Sequence, residues 1–293
     1  MALNEADLIA AAAGRGTGVR RVKVIRPVSF SLHDLWTGLV GLSDYRDLLV
    51  ALSAHRLKVR YKQSVLGIAW AIIQPVALML IYTLVFSIVS RVKVPGVPYA
   101  VFAYAALLPW SFFSTALTNA TNGLVSHAQL VTKVYFPREI LPISYVVAAL
   151  VDLLVASLVM VALMFYYHVS LTLQALWILP ITLIMTAFVS ACALVFSAMQ
   201  VRVRDIGMAM PLLLQLWMFG SPVVYPLNQV PERFRDYYVL NPMVGVIENF
   251  RAALLGTPFD LRSLSISAIV SALLLPLSYL YFKRIEATVA DVI

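Results

Sequence analysis

Long apolar runs separated by short polar ones dominate the chain. A helix that crosses a bilayer needs about twenty apolar residues. Six runs qualify: 65–89, 99–122, 142–167, 175–199, 206–226 and 263–282. Pro75, Pro109, Pro180, Pro211 and Pro276 fall in or beside them, which spanning helices tolerate because neighbouring groups satisfy the freed backbone. Two further stretches carry a helical period without the length to cross. Before the first run, Tyr45, Leu48, Leu49, Leu52 and Val59 recur among Arg46, Arg56, Lys58, Arg60 and Lys62. This predicts an amphipathic helix over 45–64, lying in the membrane interface with its apolar face down. Between the fifth and sixth runs, Pro222, Pro226, Pro231 and Pro242 cut the chain into short pieces. Met243, Val246, Ile247, Phe250 and Leu254 then follow a helical period that Gly256 and Pro258 close. That piece is too short to cross and reads as a re-entrant or interfacial helix. Irregular backbone at that depth survives only against protein or water, so it implies an aqueous vestibule there.

Composition narrows the class. Residues are 61% hydrophobic and 12% charged, against about 25% charged in a soluble domain. The fold expected is therefore an all-α polytopic membrane protein with six transmembrane helices, preceded by an extension over 1–44 and the interface helix, the six-helix unit running over 65–290. Lys and Arg sort unequally: sixteen lie in 1–64, 123–141, 200–205 and the tail, six in the remaining loops. Both termini are thus expected in the cytoplasm. The net charge of +8 matches this bias and attraction to anionic lipid, so no nucleic-acid partner is expected. The start MALNEADLIAAAAG carries Glu5 and Asp7 where a signal peptide has basic residues. Cys192 is the single cysteine, which excludes an intrachain disulfide and a cysteine-based metal site. Gly14–Gly18 (GRGTG) lacks the Lys-Ser/Thr of a phosphate loop. No catalytic cluster or nucleotide motif stands out, so neither an enzymatic activity nor a metal is expected. Uphill transport would draw on another chain or an ion gradient.

Three groups of residues carry candidate chemistry. Arg56, Lys58, Arg60 and Lys62 suit either lipid anchoring or an anionic headgroup such as a pyrophosphate at a translocation entrance. Tyr82, Phe86, Tyr104, Trp217, Phe219 and Tyr225 present aromatic faces that stack on sugar rings and equally serve helix packing. Asp152 is the one acid well inside a span. It should face the bundle interior, with a hydroxyl such as Ser144 or Ser157 as partner.

Four segments in order, RYKQSVLGIAWAIIQP (Arg60–Pro75), LVTKVYFPREILP (Leu130–Pro142), VRVRDIG (Val201–Gly207) and FGSPVVYP (Phe219–Pro226), resemble the permease subunit of type-2 ABC exporters of cell-surface polysaccharide. These are the bacterial O-antigen, capsule and teichoic-acid exporters, and the resemblance covers about residues 45–290. It implies a multi-pass protein of the bacterial inner membrane. Two permeases would pair as a homodimer with two cytoplasmic ATPases, which bind the ATP and magnesium; this chain would hold no cofactor. A lipid-linked glycan would pass between the permeases. Lys133, Phe136, Arg138 and Glu139 would form the ATPase coupling element, and Pro222–Leu254 the re-entrant helices at the outer end. An exporter of a drug or small lipid on the same architecture, and an ion-coupled secondary transporter, are the rival expectations.

Overall fold

The computed structural model describes residues 44–62, 65–89, 96–134 and 136–292. The expected extension 1–44, with Gly14–Gly18, lies outside the described residues apart from its last position, and so do Arg91 and Lys93. Among the described residues every regular element is a helix. In chain order they are α1 (Arg46–Lys62), α2 (Trp70–Tyr82), α3 (Tyr99–Ser126), α4 (Ala128–Lys133), α5 (Ile140–Tyr166), α6 (Ile178–Arg202), α7 (Asp205–Phe219), α8 (Glu232–Val239), α9 (Pro242–Leu255) and α10 (Leu261–Val292). A 3-10 turn leads into α2, and a π turn over Thr83–Val89 extends it.

Among the described residues five segments are long and apolar enough to cross a membrane: Gly67–Ser87, Tyr99–Ser126, Ile140–Tyr166, Leu173–Arg202 and Leu261–Glu286. The expected span 206–226 differs. It holds the 15-residue α7, followed by turns through Gly220–Tyr225. At 1.5 Å per residue α7 covers roughly 22 Å of a hydrocarbon layer about 30 Å thick. Hydropathy averaged over the window does not register that Pro222 and Pro226 stop the helix early.

Helix α3 is the axis of the bundle. In its most apolar window 83% of residues are buried, against 11% for α2, which lies on the outside. Helices α5, α6, α9 and α2 pack around α3, and α10 packs on α6. The main core joins Tyr104, Leu107, Phe113 and Leu117 of α3 to Met160 of α5, Met185 and Phe188 of α6, and Ile247 and Phe250 of α9. A second core closes one end. There Leu124, Val131, Phe136, Ile140, Val201, Tyr279, Phe282 and Ile285 meet Tyr45, just before α1, and Leu48, Leu49 and Leu52 of α1. The segments that the basic residues group together therefore share one end of the molecule.

Helix α9 seats against the opposite end. Its limits follow from its caps: the Asn241 side chain accepts from Met243 N at 3.1 Å, Pro242 opens the first turn, and Gly256 adopts φ +69°. That left-handed conformation costs glycine little and other residues more. Nearly every α9 residue is buried. Gly245 lies against the Ser263 carbonyl and Ser267 Oγ of α10, the small-residue contact that lets two backbones approach. A side chain at Gly245 has no room to move into. We expect Gly245→Val to lower the melting temperature in detergent, at a cost of about 1–3 kcal/mol for overpacking. Gly220→Val, where a Cβ meets nothing nearer than 3.5 Å, leaves it unchanged.

Candidate functional site

The apolar stripe of α1 is present, and it packs on protein. Tyr45, Leu48, Leu49 and Leu52 lie on the second core, and the same face continues through the buried Ser53 and Arg56. Both are held by the first turns of α5. Ser53 Oγ donates to the Leu49 carbonyl at 2.8 Å and lies 3.2 Å from the Ser144 carbonyl. Arg56 Nε donates to Ser144 Oγ at 2.6 Å, and the guanidinium stacks 3.5 Å over the Tyr145 ring. The four cations expected to act together are thus divided. Arg56 points into the bundle and is 9% exposed, Lys58 and Lys62 are exposed, and the Arg60 side chain lies outside the described residues. Beside Arg56 is a cavity of about 270 Å³ lined by His55, Thr115, Asn119, His127 and Tyr145 among others. Burial depresses the Arg56 guanidinium pKa, with the Tyr145 hydroxyl opposing it. Burial also lowers the His127 pKa; its hydrogen bond to Gly123 opposes this, and nearby Arg56 and His55 add to it.

The coupling residues also divide. Lys133 ends the short helix α4 and is exposed. Phe136 is buried in the second core. Arg138 and Glu139 turn inward onto α10. The Arg138 backbone N–H donates to Glu286 Oε1 at 3.1 Å, and its Nη1 to the Glu286 carbonyl. Glu139, 2% exposed, accepts from Lys283 Nζ at 2.8 Å and from Tyr279 Oη at 3.3 Å. Lys283 also donates to Glu286 Oε2 at 2.7 Å. Burial raises the Glu139 carboxyl pKa, with the Lys283 charge pulling it back. This arrangement offers α4 to a partner and ties the loop after it to α10.

Within the spans, the expected aromatic residues mostly pack against protein. Tyr104 is fully enclosed, donating to the Ala156 carbonyl at 2.9 Å; it lines no open path in this conformation. Tyr82 Oη lies 3.5 Å from Met218 Sδ, and its ring meets Phe86 edge-on. Trp217 donates to Asn241 Oδ1 at 3.1 Å and its ring meets Phe113 at 5.0 Å. Tyr225 donates to the Phe219 carbonyl at 2.7 Å, and Phe219 itself is half exposed. Asp152 lines a second cavity of about 460 Å³ with Gln74 of α2 and Ser111, Ser114 and Thr115 of α3. The two hydroxyls expected to partner it serve elsewhere: Ser144 donates to the Leu141 carbonyl and Ser157 to the Leu153 carbonyl.

The feature missed in the sequence is a polar stripe along α3. Ser111, Ser114, Thr115, Thr118, Asn119 and Asn122 recur at intervals of three and four, and from Ser111 to Asn122 they alone escape full burial. Its signal is the helical period of hydroxyls and amides inside an apolar run. Thr115 borders both cavities, so the stripe passes from the cavity under α1 to the one at Asp152. At the α1 end, Asn122 Oδ1 accepts from Gln200 Nε2 at 3.3 Å, and Gln200 Oε1 from the Gly207 backbone N–H at 2.6 Å. A Cβ at Gly207 would lie 2.5 Å from Asn122 Oδ1. The VRVRDIG loop is thereby locked to α3. Among the described residues no group of three or more His, Cys, Asp or Glu could hold a metal.

At the far end, Arg251 of α9 is buried and donates to the Pro222 carbonyl at 2.7 Å and to Glu248 Oε1 at 2.9 Å, with its guanidinium 3.7 Å over Phe102. This fixes the turn after α7 against α9 and the start of α3.

The chain is similar in sequence to known export permeases. The chain is 34% identical over 213 residues to an O-antigen export system permease protein RfbA of Myxococcus xanthus, covering 72% of this chain and 81% of the relative. It is 29% identical to an RfbA of Klebsiella pneumoniae over 84% of this chain and 95% of that one. It is 26% identical to the polysialic acid transport protein KpsM of Escherichia coli over 70% and 80%. The family described as ABC-2 type transporter matches residues 47–255, and the chain belongs to it.

Proposed function

We propose that the chain is the membrane permease of an ATP-driven exporter that moves a lipid-linked polysaccharide of the O-antigen type across the bacterial inner membrane. Two copies work as a pair, a separate ATPase docks on each, and this chain performs no chemistry of its own. The observation that carries this reading is the α3 stripe. Six hydroxyl and amide residues share the half-open face of an otherwise buried spanning helix; Ser114, Asn119 and Asn122 each donate one bond to the backbone of α3, and the hydrogen-bonding capacity left over is costly against lipid, which offers no partner. A wet path between two copies satisfies them, and sugar hydroxyls match them as donors and acceptors. The names of the relatives support the cargo class.

The mechanism follows from which parts are tied together. ATPase closure pushes on exposed α4 and Lys133. The Arg138–Glu286 and Glu139–Lys283 contacts pass the displacement to α10, and the second core carries α1 and the ends of α3 and α5 with it. The path then opens as one rigid movement, and differential contacts of the ATPase with two states of the permease supply direction. Helix α7 with its following turns serves as a sixth, incomplete crossing, and α9 closes the outer end. Both termini face the cytoplasm.

Labelling tests the path. On a Cys192→Ala background that retains export, Ser114→Cys and Thr118→Cys should react with a membrane-impermeant thiol reagent in right-side-out vesicles while the exporter turns over. Leu158→Cys, exposed on α5, should not react. Equal protection of all three positions would sink the reading, as would glycan transport by the purified permease in liposomes without an ATPase.

A further inference from the structure

The cavity at Asp152 has a chemistry of its own. Helices α2, α3 and α5 form it, and it measures about 460 Å³. At roughly 30 Å³ per water, that space takes a sugar ring with water around it. Its polar lining is Gln74 of α2, Ser111, Ser114 and Thr115 of α3, and Asp152 of α5; among the described residues no Lys, Arg or His lines it. Pro75 adds an acceptor. It lies inside α2 and has no N–H, so the carbonyl four residues back, at Ala71, loses its usual helical donor. Ala71 also lines the cavity. A carboxylate only accepts hydrogen bonds, whereas serine, threonine and glutamine donate and accept. The wall therefore asks for an occupant rich in donors and free of negative charge. A neutral sugar meets this. Adjacent hydroxyls of one ring can donate to the two oxygens of one carboxylate, and the other hydroxyls serve the amide and the α3 side chains.

Charge is the feature that needs a reason. An asparagine at 152 would offer hydrogen bonds too, without the cost of placing an ionisable group inside a span. What asparagine cannot do is repel. An anionic sugar such as a uronate would bring its own carboxylate against Asp152. Two like charges about 6 Å apart, at an effective dielectric of about 20, lower occupancy roughly a hundredfold. Arg56 offsets this only in part, because its guanidinium stacks on Tyr145, seven residues and about 10 Å away along α5.

We propose that this cavity is a sugar subsite on the export path and that Asp152 is its specificity-determining residue, admitting uncharged sugar units and turning anionic ones away. The proposal rests on the export reading and narrows it: the cargo is a neutral glycan. Charged side chains select in this way in narrow channels. A repulsive group also discriminates between polymers whose hydroxyls make the same attractive contacts.

The test uses the permease with its ATPase in zwitterionic nanodiscs supplied with ATP. Ala77→Cys, an exposed position of α2 that lines the cavity, is placed on the Cys192→Ala background. Its rate of reaction with an uncharged thiol reagent is followed in the presence of maltotriose or trigalacturonate, sugars of equal length of which only the second is anionic. Maltotriose should protect the thiol saturably, and trigalacturonate should need at least a tenfold higher concentration. Asp152→Asn should bring the two within threefold of each other, chiefly by improving trigalacturonate; a merely structural acid would weaken both alike. If Asp152→Asn does not fold, Gln74→Lys puts a cation at an exposed position of the same cavity and should narrow the gap at least threefold. No protection by maltotriose, equal protection by both sugars in the parent, equal weakening of both in Asp152→Asn, or a gap that neither substitution narrows overturns the subsite. Glycan export by a complex that treats the two sugars alike would leave the export reading standing without the filter. A gap removed by Asp152→Asn in a complex that exports no glycan would overturn the export reading and leave the sugar site intact.

Discussion

Lys283→Ala is expected to remove most of the folded, membrane-inserted permease. Lys283 is the cation between two carboxylates, 2.8 Å from Glu139 and 2.7 Å from Glu286. Glu139 is 2% exposed. Breaking a buried pair from one side costs about 3–5 kcal/mol, because the remaining charge is stranded. Replacing both partners with apolar groups is often neutral. Glu139→Gln with Lys283→Met should therefore recover folded protein that Lys283→Ala alone loses, as fluorescence-detected size exclusion would show. The pH dependence is signed. Burial holds the Glu139 pKa above its ordinary value even beside Lys283, and without that charge it rises further. Between the unfolded and folded values the native state binds the extra proton, so stability falls as pH rises through this window. Lys283→Ala should melt at a higher temperature at pH 5.5 than at pH 7.5, and Glu139→Gln should erase the difference. If the double variant folds but its ATPase no longer responds to substrate, the contact transmits the stroke as well as holding the loop. Full coupling in that variant would reduce it to a structural tie.

What the sequence made legible was local. The α9 helix could be read because its signals sit within it: a Pro at the first turn, a period of apolar residues, a glycine at the stop. The grouping of basic loops at one end could also be read, because charge bias needs no knowledge of contacts. Partners across the chain stayed hidden. The apolar stripe of α1 reads the same whether it meets lipid or protein, and the deciding contact, Arg56 on Ser144, joins residues 88 apart. Glu139 reads as one more loop charge until Lys283, 144 residues on, makes it a buried ion. Hydropathy placed a sixth span over 206–226 because Val223 and Val224, buried in the turn, score like a helix. The aromatics left the same question open. A Tyr in a span gives no sign of whether its ring is enclosed like Tyr104 or half open like Tyr82. The α3 stripe needed no tertiary knowledge at all, only a period count on hydroxyls.

Ser111→Leu, Ser114→Leu and Thr118→Leu in one chain should leave folding untouched and reduce export at least tenfold. Leucine is among the better helix formers and is at home in hydrocarbon. Among the described residues the hydrogen bonds at these positions run within α3: Ser114 Oγ donates to the Ser111 carbonyl at 3.3 Å, and the Thr118 carbonyl accepts from Asn122. Insertion and melting temperature should therefore hold or rise. Export is different, because the stripe is the polar wall a hydrated sugar chain would meet. Each lost hydrogen bond to a passing hydroxyl removes about 0.5–1.5 kcal/mol, and a ring of leucines narrows and dries the path, as hydrophobic constrictions do in channels. Three such losses together exceed the 1.4 kcal/mol that corresponds to a tenfold change. A matching change at exposed positions of α5, Leu154→Ser with Leu158→Ser, adds polarity where the reading places lipid. It should weaken insertion and spare turnover per folded molecule. If the leucine variant exports glycan at the parental rate, polysaccharide does not run along α3, and the stripe serves only to join two copies.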